Sequence, residues 1–359
     1  IKKLFEDDVI GKAGLQYLVA WSIYRQLAEF TEPYLFRGDR TAEESCFVHV
    51  KNVMRLAVLS NYFNMVAPPY TVEYLKRMAF RIKSSFREAL ENYTWLTKEA
   101  RSHLMNKLVQ ITIQAGSPGD RLYHEFVEKL YAPLPDVPLN RLFPSWIKGR
   151  RIHTRYCWQN KRTRLFDEEE VEAYYSSPTT VIIPIGIVHP PLMYEYGPAA
   201  MDYGTLGMII GHEIMHAFDV KHLEYDFLRD EEMAKEYTKR ALCLRRSHRA
   251  VRYWLRFLKS DVLNDDLDSE NLSDLVGTRL AYEAFASLPE DIRKVKLAGF
   301  DKSPEQLFFI SQCNIWCAWY DADKQHARYA PHRSRCLVPL RNMAEFSRAF
   351  GCAPERVMN

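Results

Sequence analysis

The pattern Gly-His-Glu-Ile-Met-His at residues 211–216 constrains the fold of this chain more than any other feature of its sequence. Four residues are about one turn of an α-helix, so His212 and His216 project from the same helix face. The apolar residues between Leu206 and Phe218 indicate that this helix is buried. Two imidazoles in this arrangement can bind one zinc ion, and Glu213 can hold and deprotonate a metal-bound water. The alternative is a core helix with two hydrogen-bonded histidines.

A second pair with helical spacing, Glu270 and Asp274, supplies what a catalytic zinc site would still need. Such a site takes a third protein ligand and keeps one position open, and Glu270 can complete a His₂Glu set. Asp274 can then accept a hydrogen bond from the outer ring nitrogen of a ligand histidine, and Asp219 can play a similar part. The alternative is a solvated acidic helix start, since three aspartates precede Glu270. The coincidence of both pairs in one chain favours the zinc site.

Composition places the chain among soluble globular proteins. Its 359 residues predict two to three domains, and 47% apolar with 26% charged residues excludes disordered, collagen-like and coiled-coil chains. A net charge of +3 gives no case for a nucleic-acid or anionic-membrane partner. No apolar run in the sequence is long enough to span a bilayer.

Periodicity predicts a helical first part and a mixed second part. Residues 1 to about 115 have helical spacing of apolar residues, which Gly116, Pro118 and Gly119 end. A proline-rich passage follows, and we expect a domain boundary there, with a mainly helical region over residues 1–145 and a second domain, which holds both candidate metal-ligand pairs, over residues 146–359. Residues 171–188 change character: residues 171–175, a Ser-Ser-Pro turn and then residues 181–183 indicate a β-hairpin, and the pattern is helical again from Tyr203.

The segment from Lys239 to Lys259 is rich in arginine and allows two interpretations. It can be a nucleic-acid patch or one solvated amphipathic helix, with apolar residues between the arginines. The balanced total charge favours the solvated helix. The arginines concerned are Arg240, Arg245, Arg246, Arg249, Arg252 and Arg256.

Seven cysteines are an odd number, and no pair has the two-residue spacing of a zinc ribbon or a redox motif. They fit the free thiols of a cytosolic enzyme as well as the disulfides of a secreted one, and composition leaves both open. Asn92-Tyr93-Thr94 is a candidate glycosylation acceptor.

The chain resembles the neprilysin and endothelin-converting-enzyme family of zinc endopeptidases over nearly its whole length. The similar stretches occur in the order that the family has them. They are Glu172-Ala173-Tyr174-Tyr175, Pro184 to Ile187 with Pro190-Pro191, Gly211 to Asp219, Glu270 to Tyr282, Gln306 to Phe309 with Trp316-Cys317, and Asn342 to Cys352.

The resemblance implies a mainly α fold with a small β-sheet, in which a thermolysin-like gluzincin catalytic domain is joined to part of a helical cap. It implies one zinc ion per chain, held by His212, His216 and Glu270, with Glu213 as the general base. The substrates would be short peptides cleaved before apolar residues, at an extracellular location. The implied substrate-binding residues are Glu172, Ala173, Arg335, Met208, Ile315 and Trp316.

The resemblance also bears on the cysteines, because the family's ectodomains are roughly twice as long as this chain. Cys46, Cys317 and Cys352 would have disulfide partners in an amino-terminal segment upstream of residue 1, and Cys243 would have its partner just past residue 359. Cys313 and Cys336 have no family counterpart, and we expect them to pair with each other. Cys157 has no counterpart either.

Two departures from the family's pattern bear on catalysis. Glu172 replaces an asparagine, so an ionised side chain offers only acceptors to the substrate backbone. In the family's Asp-x-His-Ser-Pro-x-x-x-Arg, Arg335 is retained, but Tyr329 replaces the oxyanion-stabilising histidine and Ala327 the aspartate. The Tyr329 hydroxyl can donate to an oxyanion in the histidine's place, with His326 and His332 as alternatives.

These departures motivate a second hypothesis beside the endopeptidase. It is a catalytically impaired, zinc-bearing homologue that binds peptides or partner proteins. A third hypothesis, an interaction module that uses only the helical part, is disfavoured because the two helical pairs and the predicted base are all intact, that is, His212, Glu213, His216, Glu270 and Asp274.

Overall fold

The structure is a computed structural model that describes residues 11–31, 41–117, 119–134, 142–160, 170–176, 178–223, 230–251, 262–317 and 328–352. Contacts divide the chain into two compact units, residues 1–61 with 124–164 and residues 62–123 with 165–359. Part of the proline-rich passage, residues 135–141, lies outside the described ranges. The boundary at residue 145 stays a prediction.

The described elements are mostly helices, with three short strands. In chain order they are α1 (Gly11–Thr31), α2 (Ala42–Val53), α3 (Arg55–Val66), α4 (Pro69–Asn92), α5 (Lys98–Gln110), β1 (Thr112–Gly116), α6 (His124–Tyr131), α7 (Leu142–Gln159), β2 (Tyr174–Ser176), β3 (Thr180–Pro184), α8 (Ala199–Asp202), α9 (Met208–Met215), α10 (Glu231–Val251), α11 (Asp265–Ala286), α12 (Glu290–Arg293), α13 (Pro304–Asn314), α14 (His332–Arg341) and α15 (Ala344–Phe350).

In the first unit, α2 packs against α7. A capping box begins α2: the Thr41 hydroxyl accepts from the Glu44 backbone nitrogen at 3.2 Å, and the Glu44 carboxylate accepts from the Thr41 nitrogen at 2.7 Å. The helices approach closely at Gly149, where an added Cβ atom would lie 2.9 Å from a methyl carbon of Val53.

The core of the second unit is built on α4, α9 and α11. The apolar side chains of α4 recur every three to four residues, and Leu75, Met78, Ile82, Phe86 and Leu90 are all buried. α11 packs against both α4 and α9. α8, a π-helical turn over Tyr203–Gly207 and α9 follow one another without a break, so the predicted buried helix is part of a longer helical segment.

The prediction that residues 1 to about 115 are helical throughout is wrong at its end. α5 ends at Gln110, and Thr112–Gly116 forms β1, which pairs in parallel with β3 from Thr112 opposite Thr180 to Gly116 opposite Pro184. A strand of five residues is too short to show a clear periodicity, and Thr112 pairs with Thr180, which is 68 residues away in the sequence. The pairing is therefore set by tertiary contacts that a local pattern does not contain.

The predicted hairpin is confirmed. β2 pairs antiparallel with β3, with Tyr174 opposite Ile182 and Ser176 opposite Thr180. Among the strands that the structure describes, the order is β1-β3-β2, so β3 is central and β2 lies at an edge. The apolar residues Val181, Ile182 and Ile183 of the central strand are buried, as its run of β-branched residues predicts.

The interpretation of the arginine-rich segment as one solvated helix is wrong at Arg245. This side chain is fully buried, and its Nε donates to Asp268 Oδ1 at 2.8 Å while its Nη2 contacts Oδ2. The Asp268 carboxylate also accepts from the Asn264 backbone nitrogen at 2.7 Å. The pair joins α10 to the start of α11. A buried charge is costly without a partner, so the contact with Asp268 allows Arg245 to be buried. Residues 252–261 lie outside the described ranges.

The expected disulfide between Cys313 and Cys336 is present and joins α13 to α14. The cysteines at 46, 243, 317 and 352 are exposed and take part in no disulfide within the described ranges. Among the helices that the structure describes, none has the length and apolar character needed to cross a membrane.

Candidate active site

The two motif histidines lie side by side in the buried helical segment that contains α9. His212 is in α9, and His216 is in the 3₁₀ turn that follows it, His216–Phe218. Both side chains are buried, and their ring centroids are 4.7 Å apart. The one-turn spacing thus gives the shared face that the sequence predicts.

A glycine pair brings α11 against this helix. A Cβ atom on Gly211 would lie 2.8 Å from the carbonyl oxygen of Gly277, so two backbones meet where side chains would keep them apart. Glu270 and Asp274 lie two turns and one turn before Gly277 on α11. This approach places one carboxylate at each nitrogen of the His212 imidazole, Glu270 at Nε2 and Asp274 at Nδ1.

Three side chains form a cluster that can hold a metal ion. Oε2 of Glu270 is 3.2 Å from Nε2 of His212 and 3.7 Å from Nε2 of His216. The ligand atoms of all three lie within 4.8 Å of one another. Four-coordinate zinc with bonds of about 2.0–2.1 Å keeps its ligand atoms roughly 3.3 Å apart. Both the donor types and their spacing therefore fit zinc.

Each imidazole is held by a carboxylate on its outer nitrogen. Nδ1 of His212 is 2.9 Å from Asp274 Oδ1, and Nδ1 of His216 is 2.7 Å from Asp219 Oδ2. These contacts orient each ring through Nδ1 and leave Nε2 as the nitrogen that faces Glu270 and would bind a metal ion.

Asp274 is itself fixed by Arg335. The guanidinium donates from Nε to Oδ2 at 2.7 Å and from Nη2 to Oδ1 at 2.8 Å. Burial alone would raise the pKa of Asp274, but the charge and hydrogen bonds of Arg335 hold this pKa well below its usual range. The guanidinium also lies 4.0 Å from the ring centroid of Trp316. A chain of contacts thus runs from Trp316 through Arg335 and Asp274 to His212.

Glu213, the predicted base, is buried and contacts the sheet edge. Its Oε2 accepts a hydrogen bond from the backbone nitrogen of Tyr175 in β2 at 2.9 Å. Burial raises the pKa of the Glu213 carboxyl. Sequence reasoning missed the contact with Tyr175, because nothing in a strand's sequence shows which backbone groups face outwards.

The predicted substrate-binding residues lie in three places. Glu172, which is exposed, and Ala173, which is half-buried, come directly before β2. Met208 is buried in α9, one turn before His212. Ile315 and Trp316 are half-buried just past the end of α13.

Tyr329 lies beside the two arginines that contact the acidic residues of the site, with its ring centroid 4.8 Å from the Arg335 guanidinium and 5.3 Å from that of Arg328. Burial, and then the negative charge of Glu270, raise the pKa of its phenol, so the hydroxyl keeps its hydrogen at neutral pH. His332 lies with its ring centroid 6.1 Å from that of Trp316. Ala327 and His326, which also entered the sequence argument, lie outside the described residues.

Arg328 contacts the cluster directly, and sequence reasoning missed it. Its Nε donates to Oε1 of Glu270 at 2.8 Å. It occupies an unspecified position of the family's pattern, and one arginine in a loop carries no spacing signal that a sequence argument can use.

A buried His-Glu-x-x-His helix, packed against a second helix that adds a glutamate, defines the gluzincin class of metallopeptidase folds. The chain belongs to peptidase family M13, whose sequence model matches residues 172–359.

Individual proteins are similar over longer stretches. Neprilysin-3 of Drosophila melanogaster is 26% identical over an alignment that covers 99% of this chain and 49% of that protein. Human neprilysin is 25% identical over an alignment that covers 99% of this chain and 49% of that protein. The open state of the zinc metalloprotease ZMP1 of Mycobacterium tuberculosis superposes with a TM-score of 0.67 at 19% identity, over 92% of this chain and 53% of that one. This chain therefore spans about half the length of these proteins.

Proposed function

We propose that this chain carries the catalytic site of a zinc-dependent endopeptidase that hydrolyses short peptides before apolar residues. The observation that carries the proposal is the cluster of His212, His216 and Glu270 with Glu213 beside it. Family membership and zinc metalloproteases among the structural neighbours support zinc as the ion. When bound, zinc supplies Lewis acidity that polarises a carbonyl group and lowers the pKa of water.

Glu213 is the general base in this proposal. The Tyr175 amide holds Oε2, so Oε1 can take the proton from the attacking water and pass it to the leaving amine. The raised pKa of the carboxyl suits this role, because a base that accepts a proton must also be able to return it.

The edge strand β2 supports a site for the peptide backbone. The Tyr175 amide points to Glu213 and away from β3, so the alternation of an antiparallel ladder turns the backbone groups of Ala173 to the same outer edge. An extended substrate can pair there as an added strand. Glu172 precedes this edge, and its ionised carboxylate can accept but not donate, so we expect weaker backbone binding than an amide would give.

The remaining residues would stabilise the negative charge of the transition state and select the substrate side chain that follows the cleaved bond. The Tyr329 hydroxyl would donate to the developing oxyanion, while Arg335 orients Asp274 and the Tyr329 ring. Ile315 and Trp316, which are half-buried, offer apolar surface for the residue that follows the cleaved bond, which is the basis for the expected preference. The side chain of Met208 is buried, so its part in this surface stays a prediction.

A peptide library incubated with the purified full-length protein tests this proposal. Mass spectrometry of the new amino termini should show Leu, Ile, Phe or Met at the first position, and a chelator should abolish the cleavage until zinc is restored. Cleavage without this preference would contradict the substrate class. Cleavage that a chelator leaves unchanged would contradict the zinc mechanism.

We also propose an extracellular location, with disulfides from exposed cysteines to a segment of the same protein outside this sequence. The exposure of Cys46, Cys243, Cys317 and Cys352, and the length of the relatives, support this. Peptide mapping without reduction should link these cysteines to peptides absent from this sequence. A crosslink between Cys46 and Cys317 would contradict it.

A further inference from the structure

The two oxygens of Glu270 face different partners. Oε2 faces the histidines, at 3.2 Å from Nε2 of His212 and 3.7 Å from Nε2 of His216. Oε1 accepts from Nε of Arg328 at 2.8 Å. The Glu270 side chain is 2% exposed, whereas that of Arg328 is 53% exposed, so the arginine reaches the buried carboxylate from the solvent side.

This division bears on how a carboxylate binds a metal. A glutamate with both oxygens free can bind through one or both, and binding through both fills a coordination position. The hydrogen bond that Oε1 accepts from the Nε–H group makes that oxygen costly to turn towards the ion, because this bond of a buried carboxylate would be lost. The open position that hydrolysis needs is then preserved.

We propose that Arg328 is a positioning residue that makes Glu270 a zinc ligand through Oε2 alone. The proposal rests on the proposed zinc site and deepens it. Arg328 acts through Glu270 and touches neither the ion nor the substrate in this role. Its loop follows a range outside the described residues, but Arg328 itself contacts both the Glu270 carboxylate and the ring of Tyr329, at 5.3 Å from the ring centroid.

The contact made by Nε, rather than by the terminal nitrogens, permits a sharp test. Glutamine carries its amide nitrogen the same number of bonds from Cα as the Nε of arginine. Arg328→Gln therefore keeps an N–H donor in place without the charge, while Arg328→Met keeps the length and removes both. Arg348→Met is the matched control, because Arg348 forms an exposed pair with Glu345 on α15, at 2.7 Å.

Zinc affinity, measured by competition with a chromogenic chelator on the full-length protein, is the main readout. Loss of a partner of a metal ligand typically weakens binding about 10–100-fold, and we expect this for Arg328→Met. We expect Arg328→Gln to remain within a few-fold of wild type, and Arg348→Met to equal it.

The visible spectrum of the cobalt-substituted protein reports the coordination number independently of activity. If Glu270 binds through both oxygens in Arg328→Met, the absorption should fall towards that of a five-coordinate ion, and Arg328→Gln should retain the wild-type spectrum. An unchanged spectrum in Arg328→Met would contradict the role of Arg328 in keeping Oε1 away from the ion.

The proposal is overturned if Arg328→Met binds zinc as tightly as wild type, or if Arg328→Gln is as weak as Arg328→Met. The second outcome would assign the effect to charge. A wild-type protein that binds no zinc would instead refute the proposed function, so the two failures are distinguishable.

Discussion

Gly211 and Gly277 meet backbone to backbone where α9 packs against α11, and a Cβ atom on Gly277 would lie 2.5 Å from the backbone nitrogen of His212. The neighbour at this distance is main chain, which cannot turn away as a side chain can. The contact therefore fixes how closely Glu270 and Asp274 approach His212.

Gly277→Ala should destabilise the protein and weaken the metal site together. Forcing a methyl group into a packed interior typically costs about 1–3 kcal/mol, and here the helices would have to separate. The midpoint temperature of thermal unfolding and the affinity for zinc should both fall. Gly207→Ala is the control, since its nearest neighbours would be at 3.5 Å, an ordinary contact. Equal losses in both variants would contradict the account of a close backbone approach.

Glu270→Ala should abolish stoichiometric zinc binding at low buffered free zinc. The change removes one of three ligands and leaves two histidines that still face the vacated space. Elemental analysis after dialysis measures the zinc content. Asp266→Asn is a matched control, because Asp266 lies in the first turn of the same helix, half exposed and paired with Lys221 at 3.5 Å. Full zinc content in Glu270→Ala would refute the ligand assignment.

Asp202 should make stability fall as pH rises towards neutrality. Its buried carboxyl accepts from the Tyr74 hydroxyl and the Tyr194 amide, each at 3.0 Å, and burial raises its pKa to about 7. The unfolded chain loses this proton near pH 3.9, so between about pH 4 and 7 the folded state binds more protons and stability falls with pH. The free energy of unfolding should fall by at most about 1.4 kcal/mol per pH unit through this one group.

Denaturant unfolding of the metal-stripped protein at several pH values checks this. Asp202→Asn should flatten the slope over that window. Tyr74→Phe should extend the window upwards, because the tyrosine's hydrogen bond lowers the pKa of Asp202. Identical slopes in wild type and Asp202→Asn would contradict the assignment.

Tyr329→Phe should lower kcat about 10–10³-fold with little change in KM, since an oxyanion contact is made mainly in the transition state. The substitution keeps the ring that lies 4.8 Å from the Arg335 guanidinium, so packing is preserved. Steady-state kinetics on one quenched peptide measures the effect. An unchanged kcat would transfer the role to another donor, with His326 and His332, each three residues away in the sequence, as the alternatives.

Features of the fold that depend on local spacing could be predicted from the sequence. The buried helix of His212 and His216 and the hairpin of β2 and β3 follow from periods of about four and two residues. β1 could not be predicted, because so short a strand is stabilised by its pairing with β3, which lies 68 residues further along the chain.

The residues of the site also divide into those that local spacing predicts and those that it does not. Glu270 and Asp274 were found because they share one helix face, and the structure brings both to His212. Arg328 and the Tyr175 amide were missed, since one is a single charge in a loop and the other is a backbone group. The buried pair of Arg245 and Asp268 was missed because charged residues are rarely buried unless they have partners.

The central claim is that Glu213 drives peptide hydrolysis at the cluster of His212, His216 and Glu270. Turnover of a quenched peptide by wild type and by Glu213→Gln, each with its zinc content measured, tests it most directly. Glutamine keeps the shape of the side chain but cannot take the proton. The account predicts equal zinc content, with the turnover of Glu213→Gln at the background rate. Equal turnover by the two proteins would contradict it.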